Sequence, residues 1–110
     1  MKCNCKNIAK RIRCLTEVND ADYRYALGVG PTAVLKFRIE FMAQVNEIDI
    51  TRCTCFVGEY LRQIEDLLTT FFKHPQDEYD SIDLYNKNVE KTFDKLMKIL
   101  YNIRDASSQD

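Results

Sequence analysis

Apolar residues recur at two different periods along this chain, and the period assigns each element. Between residues 6 and 17, Ile8, Ile12 and Leu15 return at helical spacing, with Lys6, Lys10 and Arg13 elsewhere around the axis. This segment reads as a helix capped by Asn4 or Asn7. Residues 58–73 carry Tyr60, Leu61, Ile64, Leu67, Leu68, Phe71 and Phe72 as a wide apolar stripe, the pattern of a helix buried on one side. Lys73-His74-Pro75-Gln76 ends it, because proline disfavours helical geometry at the residue before it. Over residues 81–104, Ile82, Tyr85, Val89, Phe93, Leu96, Leu100 and Ile103 keep one seam. Asp80 is the candidate N-cap of this last helix and Asp83 lies in its first turn. Lys98 and Arg104 lie toward the far end, where the helix dipole favours cations.

Residues 22–57 read differently. At period two, Tyr23, Tyr25, Leu27 and Val29 share one face. Leu35, Phe37, Ile39 and Phe41 share the next, alternating with Lys36, Arg38 and Glu40. Ile48 and Ile50 open a third run that continues to Phe56. Gly28-Val29-Gly30-Pro31-Thr32 and Val45-Asn46-Glu47 supply the turns between runs. The pattern predicts a three-stranded antiparallel meander with helices on one face, an α+β fold in the order α-β-β-β-α-α. The expected unit is a single domain over residues 1–110, with 1–5 and 105–110 as loose ends. An all-α bundle is the alternative, with Pro31 at the first position of a helix through residues 32–46. In that reading Ile50, Cys53, Val57, Ile64 and Phe71 follow one long helical stripe. The sheet is preferred because Ile48–Phe56 is rich in β-branched residues and cysteine and holds no Ala, Leu or Met.

Composition narrows the function classes. Sixteen Lys/Arg stand against seventeen Asp/Glu in 110 residues, a net charge of -1. That balance argues against nucleic acid as the partner. The charge is unevenly distributed, however. Residues 1–40 hold eight cations and four anions, residues 41–80 hold three and eight, and the remainder is balanced. Charge interrupts every apolar stretch too soon for a membrane span, and the start lacks the apolar core of a secretory signal. The five cysteines read as reduced thiols in the cytoplasm.

Four sets of residues carry candidate chemistry. Cys3-x-Cys5 and Cys53-x-Cys55, with Cys14 between them, offer thiolates for zinc, but the usual spacing is C-x₂₋₄-C. The reading is therefore no metal and no cofactor. His74, the single histidine, needs an orienting partner for acid–base work, and only the loop carboxylates Asp77, Glu78 and Asp80 are near in sequence. The expectation is no enzyme activity.

The basic set comprises Lys6, Lys10, Arg11 and Arg13, with Arg24, Lys36, Arg38 and Arg52 on the exposed sheet face. The α-β-β-β-α order resembles the double-stranded RNA-binding domain. That family has a basic start to its last helix, where this chain has Val57-Gly58-Glu59-Tyr60. The acidic set is Glu59, Glu65, Asp66, Asp77, Glu78, Asp80 and Asp83. It would suit mimicry of nucleic acid toward a basic groove, and the element order is similar to one family of phage anti-CRISPR inhibitors. Finally, Phe72, Leu84, Met97 and Tyr101 fall off the main helical seams, as residues of an interface do.

The functional expectation is a protein-binding module, acting as inhibitor, adaptor or subunit, alone or as a homodimer. Its partner is another protein. Lys36, Arg38, Arg52, Tyr60 and Tyr101 are the expected contact residues.

Overall fold

In the computed structural model, which describes residues 5–48 and 55–108, the chain forms four helices. They are α1 (Cys5–Val29), α2 (Pro31–Asn46), α3 (Phe56–Lys73) and α4 (Ile82–Ser108). A 3₁₀ turn, Gln76–Glu78, links the last two. The predicted α+β fold is therefore corrected: the described residues contain no strand, and the all-α alternative is the architecture. Most of the third predicted strand, residues 49–54, lies outside the described residues. The resemblances built on the strand order fall with it.

The first predicted strand is the second half of α1. No proline interrupts residues 18–27, and local bonds carry the helix onward. Thr16 Oγ1 donates to the Ile12 carbonyl at 3.0 Å, and Asn19 Nδ2 to that of Leu15 at 2.8 Å. Asp20 and Arg24 pair one turn apart at 3.1 Å. The helix stops at Gly30, whose φ of 141° is closed to most side chains. The Gly30 amide still donates to the Ala26 carbonyl, and its carbonyl accepts from the Val34 amide, both at 3.1 Å. One residue thus ends α1 and opens α2, with Pro31 in the first turn, where its missing N–H costs nothing.

Contacts fix the helix directions. Tyr23 meets Phe37 at 5.0 Å between ring centroids, while Asn19 Nδ2 donates to Gln44 Oε1 at 3.1 Å. As α1 is read backward α2 advances, so the two are antiparallel. Tyr23 also stacks on Phe93 at 6.0 Å, and Ile12 and Arg13 line a groove with Tyr101 and Arg104. This makes α1 antiparallel to α4 and α2 parallel to it. Phe71 against Tyr85, at 6.3 Å, closes the α3–α4 hairpin.

All four helices feed one core. Ile12 comes from α1, Met42 and Val45 from α2, Leu61, Ile64 and Leu68 from α3, and Val89 and Leu96 from α4. Burying each such side chain stabilises the fold by roughly 1.5–3 kcal/mol relative to leaving it exposed. Phe93 is the aromatic centre, within 6.0–6.5 Å of Tyr23, Phe37 and Phe41. Aromatics from three helices meeting at one ring explain why α2 is apolar at so many positions.

Side-chain caps set the starts of α3 and α4. Cys55 Sγ accepts from the Gly58 amide at 3.2 Å and opens α3. Ser81, not Asp80, caps α4: its hydroxyl accepts from the Leu84 amide at 3.2 Å. Asn7 lies inside α1, and Asn4 lies outside the described residues.

Candidate functional site

The contact residues expected from the sequence that the structure describes lie on three different helices. Lys36 is exposed on α2. Arg38, also on α2, is half-buried, with its guanidinium carbon 5.6 Å from the centroid of the Phe93 ring. Its Nε is buried with no hydrogen-bond partner, so Arg38 serves the aromatic cluster more than the surface. Tyr60 on α3 is half-buried against the core. Arg52 lies outside the described residues. The described residues form no sheet face to collect these cations: Lys36 and Arg38 are on a helix.

The acidic set is also dispersed. Glu59 pairs with Arg62 within the first turns of α3. Glu65 is half-buried, and Asp66 borders a shallow groove between α3 and α4. Asp77 and Glu78 occupy the 3₁₀ turn, and Asp80 and Asp83 flank the start of α4. His74 Nδ1 lies 2.8 Å from Glu78 Oε2, so the loop supplies an orienting carboxylate. No serine, threonine or cysteine among the described residues is hydrogen-bonded to this imidazole, and a nucleophile is what a triad requires.

Of the thiols, Cys5 is buried in α1, Cys14 is exposed on it, and Cys55 caps α3. Cys3 and Cys53 lie outside the described residues, which contain no cluster of three or more His, Cys, Asp or Glu able to hold a metal.

One concave surface combines shape with unused side chains. It lies between the first half of α1 and the last turns of α4 and encloses about 270 Å³. Ile12, Met97, Leu100 and Ile103 form its apolar floor. Arg13 and Glu17 from α1, with Tyr101 and Arg104 from α4, form the rim. Tyr101 is 59% exposed although it lies beside that floor. Arg13, Glu17 and Arg104 are exposed and make no ion pair among the described residues. The volume sits just below the roughly 300–1,000 Å³ of small-molecule pockets, which suits one or two inserted side chains.

The sequence picked out Tyr101 and Met97 as off-seam residues, and both line this groove. It did not pair them with Arg13 and Glu17. Those two lie eighty or more residues away, and only the antiparallel packing of α1 on α4 joins them. No helix among the described residues is long and apolar enough to cross a membrane. Comparison of the chain with protein-family models, curated proteins and solved structures found no match.

Proposed function

We propose that this chain is a protein-binding module that docks its partner in the groove between α1 and α4. The observation carrying this reading is the exposed Tyr101 ring set between an apolar floor and two unpaired guanidinium groups. Tyrosine and arginine are the residue types that most often anchor interfaces, because each joins a large rigid contact area to a directed polar group. The reading is of binding, not catalysis. The exposed thiol of Cys14 on α1 supports placing the module in a reducing compartment such as the cytoplasm.

A photo-crosslinking residue at position 101 tests the proposal, with the same residue at the exposed position 69 on α3 as control. Position 101 is expected to trap a discrete protein that position 69 does not. Equal labelling from both positions would refute the groove. With the trapped protein purified, Tyr101→Ala is expected to weaken binding by roughly thirtyfold, the loss of one anchor worth about 2 kcal/mol.

A further inference from the structure

We infer that the occupant of the α1–α4 groove is a second copy of this chain, which inserts the exposed opening of its own α4. The inference rests on the groove being a docking site and names what fills it.

The donor surface is as unused as the groove. Leu84 is 48% exposed, and Asp80, Asp83 and Lys87 around it are exposed. Asp83, Leu84 and Lys87 share one face of α4 by their spacing, and Asp80 stands two residues ahead of the helix's first residue. That face is turned away from Val89, which is buried in the core. Leu84 is the single apolar residue of this group, flanked by two carboxylates and followed by an amine. The groove has the matching design: an apolar floor, two guanidinium groups, then one carboxylate.

Order and spacing match as well as sign. On α1, Arg13 precedes Glu17 by four residues; on α4, Asp83 precedes Lys87 by four. Four helical residues advance about 6 Å. A donor lying parallel to α1 therefore sets Asp83 against Arg13 and Lys87 against Glu17 in one register. Asp80 is then carried toward Arg104, and Leu84 toward the floor beside Tyr101. Each of these pairs could also form within its own helix, as Asp20 and Arg24 do. Neither Arg13–Glu17 nor Asp83–Lys87 closes, which leaves both pairs available for a partner.

The geometry also decides the stoichiometry. Leu84 and Tyr101 are seventeen residues apart on one continuous helix, about 25 Å along its axis, so a copy cannot fill its own groove. A donor parallel to α1 runs antiparallel to the host's α4. Two copies can then exchange the same contact about a two-fold axis near the middle of α4. The assembly closes at a dimer with two identical contacts.

Sedimentation equilibrium over micromolar to millimolar protein tests this with charge reversals on exposed residues. The wild-type chain is expected to dimerise. Arg13→Glu with Arg104→Glu, and separately Asp80→Lys with Asp83→Lys, should each raise the dimer dissociation constant more than about a hundredfold, by setting like charges against each other. Unchanged far-UV circular dichroism would show that both variants fold. An equimolar mixture of the two should recover the dimer, since each groove again meets a tip of opposite charge. A wild-type monomer throughout, or dimerisation indifferent to the reversals, would overturn the inference. If crosslinking from position 101 still traps a different protein, the docking site stands and only its occupant is wrong. If it traps nothing, the docking reading fails too.

Discussion

Tyr85 is the residue whose ionisation answers to the fold. Burial, and then the neighbouring Tyr79 phenol, raise its pKa above the ordinary value of 10.0. The Tyr79 and Tyr85 rings lie 5.3 Å apart, and the Tyr79 oxygen accepts from Asn88 Nδ2 at 2.6 Å. An unfolded chain loses the Tyr85 proton near pH 10, while the folded chain still holds it. Above that pH the unfolded state binds fewer protons, so stability falls as pH rises. The contribution is complete below pH 10 and is lost as pH climbs through the folded-state value. Tyr85→Phe keeps the ring contacts with Phe71 and Tyr79 and removes the titration. Urea denaturation from pH 8 to 11 should show a shallower alkaline decline for the variant. Parallel declines would remove Tyr85 as the source.

At the scale of the element, two glycines two residues apart should respond oppositely to the same change. Gly28 lies within α1, and a methyl group there would meet open space. Gly28→Ala should stabilise the chain by about 0.5–1 kcal/mol through its helix propensity. Gly30 also has room around it, but its φ of 141° is a conformation that alanine adopts only under strain. Gly30→Ala should cost about 1–3 kcal/mol. Thermal melts of the two variants check the sign of each, and a stabilising Gly30→Ala would mean that the α1–α2 joint relaxes without loss. The same joint shows why residues 22–45 misled. Tyr25, Leu27 and Val29 are exposed on the outer surface of α1, so alternate apolar residues imitated a strand with no buried face behind them. In α2, Phe41, Met42 and Val45 are buried, while Leu35, Phe37 and Ile39 are half-buried. The solvent face of α2 is a narrow row, Thr32, Lys36, Glu40 and Gln44, and apolar residues on both sides of it blur the one-sided stripe that betrays a helix. In α3 and α4 the exposed face is wider, and the stripe persists. Pro31 was the local signal that favoured helix, and propensity alone could not give it enough weight.

At the scale of the whole molecule, the site was less legible than the fold, because it is made by packing. Met97 and Tyr101 stood out as apolar residues off the seam, yet nothing local ties them to Arg13 and Glu17. The same long-range packing sets how the chain unfolds. Leu61 has no exposed surface and lies in a core to which every helix contributes. Leu61→Ala should cost about 2–5 kcal/mol, the lost transfer energy plus the cavity left behind. That is a large share of the roughly 5–15 kcal/mol that holds a domain together. Because Tyr23, Phe37, Phe41 and Phe93 join α1, α2 and α4, the α1–α2 hairpin has no core of its own to retain. In urea, the far-UV helical signal and the near-UV aromatic signal should therefore fall at one midpoint. The Leu61→Ala midpoint should move down equally in both. An aromatic signal that outlasts the helical loss in this variant would mean that α1, α2 and α4 hold together without α3. Coincident curves would mean that the groove between α1 and α4 exists only while the whole core does.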